Sequence, residues 1–363
     1  MNQSFYIDLA NRGLKMPMGA DLVLNEHPDP ESIRLDGRRL GDVMIEAARR
    51  YRTPLALPQM NLTLEKEALL KLIGLESGSG EFHFAEPPGK DLLSSFEAGL
   101  RGVLTPGCEA NIKAIAHVAA TSDLVPLGMC IGPFSLMTKL LADPIMPVTL
   151  AGMGSTPADT PEVALMEAAL DISTRLVLEI VDRQIKAGAR MIVVAEPATN
   201  KVFFSPKLIR RGSDIFERYA MAPNRKVAKL MRANGVDLFF HCCGDLIDEM
   251  VAAFGTLDPT ILSLGSSRIL WRDAALVPKT TILYGNLPSK KFYSPTLFTC
   301  EQVTETAHEL LVRMNEIGHP FILGTECDVL HVPGCECTIK AKIDAFMDVA
   351  RWPAAASPEK ESN

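Results

Sequence analysis

From about residue 120 onward, short apolar runs alternate with longer segments of helical period, and each run stops at a glycine, a proline or a polar residue. That alternation is the βα rhythm. It predicts strands over residues 53–57, 125–130, 191–195, 236–240, 260–264, 280–284 and 320–323. Most are nearly continuous hydrophobic runs, as parallel strands covered on both faces require. Between two of them, residues 161–187 place Val163, Met166, Leu170, Ile172, Leu176, Ile180 and Ile185 near a 3.6-residue period, with Glu162, Glu167, Arg175, Asp182 and Lys186 free to reach water. Gly188 and Gly235 mark helix ends just ahead of strands. Seven legible strands with helices between them fit a (β/α)8 TIM-type barrel of the α/β class, its eighth strand lying in a less readable segment and an N-terminal extension ahead of it. The alternative is an open doubly wound sheet. Residues 1–353 read as one domain, and residues 354–363 (AAASPEKESN) read as a frayed tail. The polar stretch 76–90 (ESGSGEFHFAEPPGK) reads as a long excursion of the functional or mobile kind.

The chain is 363 residues long and 47% hydrophobic, which assures a sizeable core. Its 37 basic against 44 acidic residues give a net charge of -7, the wrong sign for a nucleic-acid partner. The first thirty residues lack a basic start followed by a long apolar run, and nowhere is there a stretch able to span a bilayer. A soluble, cytoplasmic protein with no membrane partner is expected. Neither GxGxxG after the first strand nor GxxxxGK[ST] occurs, so dinucleotide and P-loop nucleotide binding have no support.

Eight cysteines are too sparse for a disulfide scaffold, yet Cys242, Cys243, Cys327, Cys335 and Cys337 fall in two clusters. His241-Cys242-Cys243 directly follows an apolar strand. In extended backbone His241 and Cys243 share a face, while Cys242 points the other way. Cys327 lies just beyond a second strand, and in a barrel both strand ends reach one rim, where active sites are built. One imidazole and two thiolates leave a tetrahedral metal with an open position, as a catalytic zinc requires. The competing view is a set of packed, inert side chains. Cys335 and Cys337 could themselves ligate metal or form a redox pair, but the favoured expectation is that they enter the following helix, 338–349, as small apolar residues; Cys108, Cys130 and Cys300 are expected to be core or surface residues.

Four strings in order carry a family resemblance: Cys130-Ile131-Gly132-Pro133-Phe134-Ser135-Leu136; Ala195-Glu196-Pro197-Ala198 followed by Ser205-Pro206-Lys207; Phe240-His241-Cys242-Cys243-Gly244; and Glu326-Cys327-Asp328-Val329. Over roughly residues 40 to 350 the chain resembles the uroporphyrinogen decarboxylase superfamily. Within it, His-x-Cys with a distant Cys resembles the zinc-dependent corrinoid methyltransferases, such as the methylcobamide:coenzyme M methyltransferases. That resemblance implies Zn2+ held by His241, Cys243 and Cys327. It also implies methyl transfer between a corrinoid (cobalamin) on a carrier protein and a small-molecule methyl donor or acceptor. This chain carries no DxHxxG-like cobalamin motif of its own, so the corrinoid would arrive on a partner.

The decarboxylase branch fits less well. Its RQAGR-like segment is replaced by GLKMPMGA at residues 13–20, and its catalytic Asp has no counterpart in PQMNLTLE at residues 58–65. A metal-free lyase of that type, and a non-catalytic relative that binds a corrinoid carrier, stand as alternatives.

Glu196, at a strand end, is the candidate catalytic residue, as a displaceable fourth ligand or as a group orienting a ligand. Asp245 is expected to cap a helix over 246–254. Asn61 and Glu65 sit at the same barrel end, Glu65 as a first-turn carboxylate after a Thr63 cap. Met16, Met18, Met60, Met129 and Phe134 could form an apolar rim for a docking corrin. A homodimer stays open.

Overall fold

The structure, a computed structural model, describes residues 3–75 and 82–350. Its sheet has eight parallel strands: β1 (Lys15–Met18), β2 (Leu55–Ala56), β3 (Val125–Ile131), β4 (Met191–Ala195), β5 (Asp237–Cys242), β6 (Ile261–Leu264), β7 (Ile282–Leu287) and β8 (Phe321–Asp328). They run in the order β1-β8-β7-β6-β5-β4-β3-β2, curled and surrounded by helices, which is a (β/α)8 TIM-type barrel. β1 and β2 are the two ends of this sheet, and no hydrogen-bonded ladder joins them.

Alternation along each strand sorts two cores. Met191, Val193, Phe239, Ile261, Ile282, Tyr284 and Ile322 fill the barrel interior. Ile192, Val194, Phe240, Leu262, Leu283 and Leu323 face the helices. The helix Gln3–Asn11 adds Tyr6 and Ala10 to the interior cluster, so the N-terminal extension plugs one mouth of the barrel. The other mouth, at the strand C-termini, is left for chemistry.

The eighth strand is KMPM at residues 15–18, inside the segment read as an extension. Pro17 removes a ladder donor and the run is short, so its pattern does not announce a strand. The helix Pro161–Lys186 forms as the period predicts, its apolar stripe buried and its N-terminus begun by Pro161. β5 and β8 run further than their apolar runs, to Cys242 and Asp328, because the end of β5 still pairs with β4 and β6, and β8 pairs with β7 as far as Thr325 and with β1 at Asp328. Part of the 76–90 excursion is anchored: Phe84 is buried and its N–H donates to the Leu140 carbonyl at 2.9 Å. Residues 76–81 and the tail 354–363 lie outside the described residues. No helix among the described residues is long and apolar enough to cross a membrane.

Candidate metal centre

The end of β5 carries the first two residues of interest. His241 follows Phe239 on the interior face, while Cys242 joins Phe240 in the outer core and lies 3.6 Å from the Thr199 hydroxyl. Thus the side chains part as alternation requires. His241 is fully buried, and its register partners are Ala195 on β4 and Ser263 on β6. Its Nδ1 lies 2.9 Å from Ser263 Oγ, whereas its Nε2 is buried without a hydrogen-bond partner. A buried polar nitrogen with no partner is costly and wants a ligand.

That nitrogen looks toward sulfur. Ligand atoms of His241, Cys243 and Cys327 lie within 4.8 Å of one another, the one such group of three among the described residues. Strict alternation from Ile322, which is interior, would give the interior to Glu326 rather than Cys327. Between Met16 and Met18, however, the pairing with β8 jumps from Gly324 to Asp328, and such irregularities re-aim side chains at barrel rims. The Cys327 carbonyl is held by Thr325 Oγ1 at 2.8 Å and Ser289 Oγ at 3.1 Å.

The two thiols share a proton unequally. The Cys327 thiol donates to Cys243, and with His241 and the Lys290 ammonium it pulls the Cys243 thiol well below its usual range, against the effect of burial. The same hydrogen bond, and then burial, push the Cys327 thiol up. Lys290 stands exposed in the turn after β7; loss of hydration would lower its pKa, but the neighbouring Cys243 and Glu326 charges outweigh this and raise it. The surroundings therefore favour the ionised form of one of the two thiols, Cys243. One imidazole and two ionisable thiols suit zinc, and a buried nitrogen without a hydrogen-bond partner fits the third coordination bond.

Glu196 is also buried, but it lies outside that group of three. Its carboxylate accepts from the N–H groups of Phe134 (3.1 Å) and Ser135 (2.9 Å) and from Asn224 Nδ2 (2.8 Å). The first two are free N–H groups at the start of the helix Pro133–Thr138. Burial raises its pKa in spite of them. Gly132 is obligatory beneath it, since a Cβ there would stand 2.1 Å from the Glu196 carboxyl carbon. The Glu196 N–H donates to the His241 carbonyl at 2.8 Å, so Glu196 braces β3, β4 and β5 where the His241 backbone passes.

Several expectations are corrected. The helix after β5 begins later, as Asp248–Gly255, with Ile247 at its N-cap; Asp245 pairs with Lys201 instead of capping it. Thr63 occupies an N-cap position, but its hydroxyl engages Asn61 and Glu67. Glu65 is a first-turn carboxylate as expected, and it is also buried, because the helix Leu64–Leu72 turns that face inward onto Ile131. Met16, Met18 and Phe134 are fully buried and offer no docking rim; Met60 and Met129 are half-buried. Cys335 sits at the N-cap of the helix Glu336–Asp348 and Cys337 is exposed on its first turn, both outside the cluster. Cys108 and Cys130 are buried and Cys300 is exposed.

Sequence reasoning passed over Ser263 and Lys290. Ser263 had a signal: it is the one polar residue in the strand ILSL, on the same face as interior Ile261. Lys290 had none, since a lysine after a strand is usually a solvated loop residue.

No curated protein matches the sequence. A solved structure of a methyltransferase from Methanosarcina mazei superposes with a TM-score of 0.64 at 18% identity, covering 95% of this chain and 98% of that one. At that identity the likeness is one of fold. The family model for uroporphyrinogen decarboxylase (URO-D) matches residues 43–351, taking in β2 through β8 and all three residues of the cluster. By that match the chain belongs to the uroporphyrinogen decarboxylase family.

Proposed function

We propose that this protein is a zinc-dependent methyltransferase that moves a methyl group between a corrinoid held on a partner protein and a small-molecule thiol or methyl donor. The observation that carries the proposal is the unpartnered, buried His241 Nε2 facing the Cys243 and Cys327 sulfurs. Without a metal, that buried nitrogen has no conventional hydrogen bond and meets only the Cys243 sulfur beside it. The fold shared with a Methanosarcina methyltransferase supports the same direction.

His241, Cys243 and Cys327 would hold the zinc. When bound there, zinc supplies a Lewis acid with an open position, at which a thiol is kept as its nucleophilic thiolate or the leaving atom of a donor is polarised. Everything else falls to this chain. With zinc on Nε2, Nδ1 would carry the proton and donate it to Ser263 Oγ, 2.9 Å away, which would hold the tautomer that offers Nε2 to the metal. Cys243 and Cys327 bring the negative charge that tempers a divalent ion and preserves the reactivity of a bound sulfur. Lys290 adds a positive charge at the open rim, where an incoming anionic group would meet it. Glu196 contributes through the backbone brace on β5 rather than as a metal ligand. The carrier would dock where strand C-termini open: Met153, Val202, Tyr293, Leu297 and Leu330 all expose apolar surface in segments that follow β3, β4, β7 and β8.

The test is metal content of native protein and of Cys327→Ser, alongside cobalamin methylation and demethylation assays. About one zinc per chain, lost in Cys327→Ser together with methyl transfer, is expected. Full zinc retention in Cys327→Ser would remove the third ligand, and native protein that binds no zinc would end the proposal.

A further inference from the structure

We infer that Asp328, acting through Met60, is a positioning residue for the Cys327 sulfur; the inference deepens the metal-centre reading and rests on it. The seam between β1 and β2 has no ladder, so side chains span it. Near the interior the Thr53 hydroxyl meets the Met16 sulfur at 3.3 Å. At the rim the span is made by Asp328, the residue directly after Cys327 and the last of β8. Its buried carboxylate accepts the Met60 N–H through Oδ2 at 2.7 Å. On its other side stands Gly19, at φ +77, where a Cβ would lie 2.1 Å from Asp328 Oδ1. The carboxylate is thus clamped between the segment after β1 and the segment after β2.

What this clamp delivers is the Met60 side chain. Its sulfur lies 3.7 Å from Cys327 Sγ, so the loop that Asp328 tethers forms one wall around the third sulfur. Thr325 and Ser289 hold the Cys327 carbonyl, and the Asp328–Met60 bond restrains the thiol itself. Without the bond, Met60 is free to withdraw and Cys327 gains rotamers that face away from His241. The cost then appears as weaker metal capture, because an unordered ligand must be ordered on binding.

Zinc affinity by competition with a chromophoric chelator, and the thiolate-to-cobalt charge-transfer band of the Co(II)-loaded protein, test this on the full chain. Asp328→Ala is expected to weaken zinc binding by about 10–100-fold and to diminish the band. Asp328→Asn keeps an oxygen for the Met60 N–H and is expected to restore both. A purely structural role would lower the melting temperature and leave the zinc affinity and cobalt band of the folded protein at wild-type values, which overturns the inference. If Asp328→Ala does not fold, Gly19→Ala serves: it drives a Cβ against the carboxylate, and folded Gly19→Ala with wild-type affinity likewise refutes it. Wild-type protein that binds no metal removes the metal reading and this inference together. Loss of metal in Cys327→Ser with none in Asp328→Ala removes only the latter.

Discussion

Replacing Glu65 by Gln should make the protein's stability less sensitive to pH. The Glu65 carboxyl is 2% exposed; Oε1 accepts the Ile131 N–H at 3.3 Å, and Oε2 is buried without a partner. Burial raises its pKa from 4.5 to about 7, against the smaller opposing effects of backbone hydrogen bonds and Lys139. Below 4.5 the carboxyl is protonated in both folded and unfolded chains, and the fold keeps its full stability. Above that value the unfolded chain releases its proton while the fold retains it, so stability declines as pH rises until the folded group ionises near 7. At about 1.4 kcal/mol per pH unit, the two values set a loss of about 3 kcal/mol by roughly pH 8. Glutamine has no proton to lose. Urea unfolding followed by circular dichroism, with chelator present in both proteins so that metal does not contribute, should show E65Q and wild type close together near pH 5. By about pH 8 E65Q should be ahead by as much as about 3 kcal/mol. A stability difference that stays constant from about pH 5 to about pH 8 would refute the burial argument for Glu65.

Other substitutions separate the groups at the rim. Ser263→Ala removes the oxygen beside His241 Nδ1 and should weaken zinc binding by about tenfold or more with the far-ultraviolet spectrum unchanged; equal affinity would deny Ser263 its orienting role. Cys242→Ser should keep its metal because that side chain faces the outer core, whereas Cys243→Ser should lose it, and inductively coupled plasma analysis of the pair would expose an error in the assigned faces if the losses were reversed. Gly132→Ala places a Cβ against the Glu196 carboxyl and should cost about 1–3 kcal/mol in urea unfolding; a neutral result would mean that Glu196 moves aside freely.

The strands and the ligands were legible in the sequence for different reasons. β3 and β4 show in the sequence because strands buried on both faces are apolar throughout, β5 through its Leu238-Phe239-Phe240 run, and the long helix Pro161–Lys186 because it has one wet face. β1 stays hidden since four residues with a proline carry too little pattern, and β2 shrinks to Leu55–Ala56 because it pairs on one side only. His241 and Cys243 can be read from one strand, as alternation fixes their common face. Cys327 cannot be placed by the same rule, which would turn it away from the interior; its position depends on an irregular pairing between β1 and β8 that leaves no trace in a hydrophobic pattern. The sequence could name Cys327 by its strand end, but the irregular pairing that turns it toward the other two is the part that alternation does not foretell. Asp328 and Gly19 belong to the same irregular corner: the carboxylate needs the space that a glycine leaves, and the loop it tethers exists only because β1 and β2 never pair. A barrel closed by a complete ladder would have fixed that rim with backbone alone. This one leaves the last wall of the proposed metal centre to side chains, so on that proposal substitutions along the seam should act on metal affinity before they act on the fold.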